Sequence, residues 1–202
     1  MTIVAIKRLC GQIPWCAPTV LESTVELALE IAREGREGRR IGTLFTLGHA
    51  DAVLAASRAL VLDPLAGHAP ARTHITDPDL RGTIKELAQL DGAFVISQSG
   101  AVVAACRYLD ASVEQIDLPL GLGSRHLAAA SISQRLGVVA IVVSESGVVR
   151  VFHGGSIEAT LIPELWLLDR HRAQLSFSGA AGGVGQDLGV ASFAVDDARD
   201  AR

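Results

Sequence analysis

The stretch Val138-Val139-Ala140-Ile141-Val142-Val143 decides the fold. Six consecutive apolar residues, mostly β-branched, suit a strand that is buried on both faces. Such a strand needs helices above and below it, which predicts a three-layer α/β domain. The neighbouring runs set the sheet type. Residues 138–144 and 148–152 flank Glu145-Ser146-Gly147, and residues 93–97 and 101–107 flank Gln98-Ser99-Gly100. Both units read as β-hairpins, so the sheet is expected to be mixed rather than wholly parallel.

Further from that centre, helical periodicity takes over. Leu21, Val25, Ala28, Leu29 and Ala32 share one helical face, opened by a capping-box pattern over Thr19-Val20-Leu21-Glu22. Residues 41–47 read as a strand, and the turn Gly48-His49-Ala50-Asp51 leads into a helix expected to run to about Leu60. His49 is a candidate ligand contact at that strand end. Residues 61–76 are punctuated by Pro64, Gly67 and Pro70 and read as a loop in which His68 and His74 look incidental. Asp77-Pro78 supplies a cap and a proline for the next helix, whose buried stripe is Leu80, Ile84, Leu87 and Ala88. Residues 156–161 are expected as an edge strand and 163–171 as a last helix. From Ser176 the chain turns glycine-rich and then polar, so a domain over 1–175 and a loosely docked tail over 176–202 are expected.

Composition bounds the function. With 202 residues the chain suits one domain. A net charge of −4, with 18 dispersed basic residues, argues against a nucleic-acid-binding surface. Mean hydropathy is high at +0.35. Even so, no apolar run approaches the ~18–20 residues that cross a bilayer, and Lys7 and Arg8 follow the N-terminal apolar residues, the reverse of a signal peptide. No membrane segment and a cytoplasmic location are therefore expected. Cys10, Cys16 and Cys106 have no metal-ligand spacing and read as free thiols.

Three polar clusters interrupt the strands: Leu90-Asp91-Gly92-Ala93, then Gly121-Leu122-Gly123-Ser124-Arg125-His126, then Ser144-Glu145-Ser146-Gly147. The second is the sharpest clue. Ser124, expected as an N-cap, opens an alanine-rich helix that Gly137 ends, which places Arg125 and His126 in the first turn. Cations are unfavourable at the positive end of a helix unless an anion joins them. A solvated arginine and a satisfied histidine are the alternative. Asp91 and Glu145 are carboxylates placed to hold a divalent metal beside a phosphate, although an Asp-Gly pair is also an ordinary turn.

In this order and between such strands, the clusters resemble the catalytic domain of bacterial and archaeal diadenylate cyclases, the nucleotide-binding domain at the front of the DNA integrity scanning protein. The resemblance covers about residues 22–161. It implies a mixed-sheet α/β fold, two ATP molecules condensed into cyclic di-AMP with release of pyrophosphate, and a need for Mg or Mn. The family's Asp-Gly-Ala motif falls on Asp91, Gly92 and Ala93, with Asp91 serving the metal and the attacking 3′-hydroxyl. Its Gly-Thr-Arg-His-Arg motif falls on Gly123, Ser124, Arg125, His126 and Leu127, the first four holding triphosphate and metal. The resemblance thus implies Asp91, Arg125 and His126 as catalytic residues and Asp91, His126 and Glu145 as metal ligands, with Leu109 near the segment that reads adenine. Two departures stand out: Ser124 keeps the threonine hydroxyl, whereas Leu127 removes the motif's second cation. A catalytically weak or inactive module that binds ATP or cyclic di-AMP is the alternative function. A two-fold product made from single-copy clusters implies a homodimer or higher homo-oligomer.

Overall fold

The computed structural model describes residues 2–110, 116 and 118–170, with side chains from residue 6. The expected tail over 176–202 and the boundary near residue 175 lie outside the described residues. Helices α1 (Thr2–Gln12) and α2 (Pro18–Glu34) precede strand β1 (Thr43–Gly48), helix α3 (Ala50–Ala55) and strand β2 (Ser57–Ala59). A short 3-10 turn (Pro70–Arg72) leads to α4 (Pro78–Leu87), β3 (Ala93–Ser97), β4 (Val102–Leu109), α5 (Ser124–Leu136), β5 (Val139–Val143), β6 (Val149–His153) and β7 (Ser156–Leu161). Residues 163–170 are helical, α6.

The seven strands form one mixed sheet in the order β2-β4-β3-β1-β5-β6-β7. Only β1 and β3 pair in parallel; every other neighbour is antiparallel. As the apolar run requires, β5 is buried along its whole length, with Val139, Ile141 and Val143 in one core and Val138, Ala140 and Val142 in the other. The first core lies under α1, α2, α4 and α6 and is centred on Phe45 and Phe94, paired across β1 and β3 with ring centroids 5.2 Å apart. The second lies under α3 and α5, where Ala129 and Ala130 let α5 approach the sheet closely. This is the expected three-layer arrangement, with β7 on the expected edge.

Several local expectations are corrected. Helix α2 begins at Pro18 with Ala17 as N-cap and no side-chain cap, because a proline preset for the first turn starts it ahead of Thr19. Helix α3 stops at Ala55, and Arg107 explains the stop: its guanidinium donates to the carbonyls of Leu54 and Ser57 and to Ser57 Oγ, ending the helix and turning the chain into β2 against β4. Residues 2–12 form α1, which buries Ile6, Leu9 and Cys10 against the first core. The loop after β2 is tied in rather than slack. Asp63 Oδ1 accepts from the N–H groups of Leu65 and Ala105, and Leu65 and Ile75 are buried. His74, read as incidental, clamps Ser99 O and Thr76 Oγ1, each at 2.7 Å.

Other expectations hold. Asp77 caps α4 through the N–H groups of Asp79 and Leu80, and Gly137 ends α5 in the left-handed conformation. The cysteines are free and buried. Cys10 and Cys16 bring their sulfurs within 3.0 Å, and burial together with Cys10 pushes the Cys16 thiol up to about 12.

Phe94→Ala is expected to destabilise the protein by about 3–5 kcal/mol, because it removes one ring of the central stacked pair and leaves a cavity that the sheet cannot close. Urea unfolding checks this. A loss below about 1 kcal/mol would show that the pair is not the centre of the first core.

Candidate functional site

The strand directions gather the three clusters. Strands β1 and β3 begin at the same end of the sheet at which the antiparallel β5 finishes, and α5, running back over β5, starts there too. Asp91-Gly92 just before β3, Ser144-Glu145-Ser146 just after β5 and the first turn of α5 therefore share one end of the molecule. Gly123, Ser124, Arg125, His126, Glu145 and Arg150 are among the residues lining a cleft of about 330 Å³ there.

Gly92 sets the position of Asp91. Its φ is +108°, and a Cβ on it would lie 2.5 Å from the carbonyl carbon of Cys106 and 2.7 Å from Arg107 N, so only glycine fits. Opposite it, β4 carries a register shift, and Cys106 has the left-handed φ of 54°. The turn lies flat on this bulge, which leaves the Asp91 carboxylate 86% exposed at the sheet end.

Arg125 joins the clusters. Its Nη1 donates to Glu145 Oε1 at 3.0 Å and its Nη2 to Asp91 Oδ1 at 3.3 Å. One guanidinium thereby spans two carboxylates, one just before β3 and one just after β5. Gly42, which the sequence reading did not single out, makes room for this bridge. A Cβ there would lie 2.7 Å from Arg125 Nη1 and 3.2 Å from Glu145 Cγ.

Helix α5 begins one residue earlier than expected. The Gly123 carbonyl accepts from the N–H groups of His126 and Leu127, which makes Gly123 the N-cap and Ser124 the first helical residue. No side chain caps the first turn, so its leading N–H groups are available to an anion. Arg125 and His126 fall in that turn as expected.

His126 is 6% exposed and packs edge-on to Phe152, with ring centroids 6.2 Å apart. Arg150 Nη1 lies 3.1 Å from its Nε2. A guanidinium only donates, so Nε2 accepts and the ring proton sits on Nδ1, which is buried without a hydrogen-bond partner. Burial first, then the charges of Arg150 and Arg125, hold the imidazole below its ordinary 6.5.

The metal set implied by the resemblance is brought together only in part. Among the described residues no three of His, Cys, Asp and Glu converge as ligands, and the Nε2 of His126 is engaged by Arg150. Asp91 and Glu145 do meet, on Arg125, and two carboxylate oxygens beside phosphate suit Mg or Mn. Ala93 and Leu109 turn their side chains into the second core, and Leu109 pairs with Ser57. His49 lies at the opposite end of the sheet, against Trp15 and within 3.1 Å of Gln98 Nε2, so it is no part of this cleft. Arg150 is the lining residue that the sequence reading missed. The only signal was its place in the alternation of Val149-Arg150-Val151, which turns it away from the first core.

Because the folded chain resists protonating His126 and the unfolded chain does not, stability is expected to fall as pH drops through 6.5 and below. Nitrogen-15 NMR of the histidines is expected to show a neutral Nδ1–H tautomer for His126 at pH 7. Titration at or above 6.5 would contradict this environment.

Comparison with known proteins places the chain among relatives. A family model described as "DisA bacterial checkpoint controller nucleotide-binding" matches residues 30–157. A protein named diadenylate cyclase from Methanocaldococcus jannaschii is 48% identical over 138 residues, 68% of this chain and 43% of that one. Another of the same name from Haloferax volcanii is 41% identical over 150 residues, 74% of this chain and 55% of that one. The chain thus spans about half the length of the curated relatives it matches. In fold it is similar to a hypothetical membrane spanning protein from Bacillus cereus, with a TM-score of 0.50 and 20% identity over 69% of this chain and 62% of that one. Among the described residues of this chain, no helix is long and apolar enough to cross a membrane. With the family model matching well over half of its length, the chain belongs to the DisA bacterial checkpoint controller nucleotide-binding family.

Proposed function

We propose that the cleft is one half of a diadenylate cyclase site, in which two ATP molecules condense into cyclic di-AMP with release of two pyrophosphates. The observation that carries this reading is the Arg125 bridge: a cation at an uncapped helix start, held between two carboxylates at the ends of β3 and β5, the strands on either side of β1. The names of the two curated relatives support it.

In this reading the triphosphate lies across the first turn of α5, accepting from its N–H groups and from Arg125. Asp91 and Glu145 would hold a divalent cation, Mg or Mn, which supplies charge neutralisation for the phosphates when bound. Asp91 also faces the 3′-hydroxyl of the other nucleotide. That oxygen attacks the α-phosphorus, the bond to pyrophosphate breaks, and the hydroxyl proton passes to Asp91 or to water. His126, neutral and wedged between Phe152 and Arg150, positions the first turn and adds no charge of its own. Each chain carries one copy of each cluster, so a homodimer or a higher homo-oligomer brings two sites face to face. The segment near Leu109 is the candidate for reading adenine. Dependence on ATP and the free thiols fit a cytoplasmic enzyme.

The second reading, a regulatory module that binds ATP or cyclic di-AMP without turnover, is favoured by Leu127. It stands 44% exposed where the family motif places an arginine.

Mass spectrometry after incubating the protein with ATP and Mg²⁺ or Mn²⁺ separates the two. Cyclic di-AMP is expected from the wild type, and nucleotide binding without product would support the regulatory module. Asp91→Asn is expected to fold and bind ATP while losing at least about a hundredfold in turnover, since it keeps the side chain's shape and removes its charge. Near wild-type turnover in that variant would remove Asp91 from the mechanism.

A further inference from the structure

We propose that Arg150 is the second phosphate-binding cation of this cleft, supplied from strand β6 where the helix position Leu127 supplies none. The proposal deepens the nucleotide reading above, which provides the triphosphate.

Arg150 sits opposite Val142 in the β5–β6 ladder, on the face of the sheet covered by α5. Its neighbours Val149 and Val151 enter the first core, so alternation sends the guanidinium beneath the first turn of α5. It is half-buried and lines the same cleft as Gly123, Ser124, Arg125 and Glu145. No carboxylate among the described residues pairs with it, and its hydrogen-bond partner is the neutral His126. This contrasts with Arg125, whose charge is met by Asp91 and Glu145.

A half-buried guanidinium facing a neutral imidazole, under the positive end of a helix, is an unfavourable place for a charge in the protein alone. A polyanion reverses the sign of every term. It would meet the free N–H groups of Arg150, the uncapped N–H groups of α5 and the dipole of the helix together. His126 has a defined part in this. Its Nε2 accepts one N–H of Arg150 and so fixes the plane of the fork, and its neutrality adds no repulsion. Leu127 is exposed and uncharged, so the missing helix cation is offset from the strand beside it.

The test is calorimetric titration of ATP, tripolyphosphate and adenosine into the wild-type chain, Arg150→Gln, and the double variant Arg150→Gln with Leu127→Arg, all with Mg²⁺ present. Loss of Arg150 is expected to weaken ATP and tripolyphosphate by about ten- to a hundredfold and leave adenosine unchanged, as for loss of charged hydrogen bonds. Restoring a cation at position 127 is expected to recover at least several-fold of that loss. Unchanged ATP and tripolyphosphate binding, or an equal loss for adenosine, would overturn the assignment. Should the glutamine variant fail to fold, Arg150→Met keeps the apolar stem and carries the same comparison. The outcomes also separate this proposal from the cyclase reading. Arg150-dependent ATP binding without cyclic di-AMP overturns the cyclase and leaves Arg150 standing. Cyclic di-AMP formation with ATP binding indifferent to Arg150 does the reverse.

Discussion

Strand β5 is buried on both faces and runs antiparallel to β1, and the rest of the molecule depends on that pairing. Burial on both faces forces helices onto both sides of the sheet. The antiparallel direction brings the end of β5 to the start of β1, and the parallel β1–β3 pair adds the start of β3. Helix α5 reaches β5 through Gly137 and so begins at the same end. Open α/β sheets usually place ligands at the carboxyl ends of parallel strands. Here the cleft lies at the amino ends of the parallel pair β1–β3, because one polar cluster follows the antiparallel β5 while the others precede β3 and open α5.

Charge in the cleft is arranged rather than accumulated. Arg125 bridges two carboxylates across a gap that Gly42 keeps open, and His126 stays uncharged between Phe152 and Arg150. The bridge orients all three charged groups before any ligand arrives, which reduces the ordering that binding must supply. On the proposed reading, a triphosphate with its divalent cation would offer each member a new partner: phosphate for Arg125, metal for Asp91 and Glu145.

How much the sequence disclosed depends on how local the cause was. Strand β3, both hairpins, the Asp77 cap and the Gly137 stop follow from residues adjacent in the chain, and the structure has them where patterning puts them. The convergence of Asp91, Arg125 and Glu145 was legible because each sits at an element boundary that the pattern marks. Features set by distant partners were not legible. Strand β2 is three residues long and exists because Arg107 ends α3 and β4 offers an edge. Ser124 looks like an N-cap, but the Gly123 carbonyl takes that place. Gly42 and Arg150 look ordinary until Arg125 and His126 are brought against them.

One copy of each cluster per chain gives the cyclase account its most exposed consequence. A product with two equivalent phosphodiester bonds needs two sites facing each other, with reacting atoms brought within roughly 3–3.5 Å. Specific activity measured across a dilution series, with light scattering on the same samples, tests this directly. The account predicts activity that rises with protein concentration and levels off as dimers or larger oligomers saturate, with the monomer binding ATP but inactive. Constant specific activity from a species shown to be monomeric would contradict it.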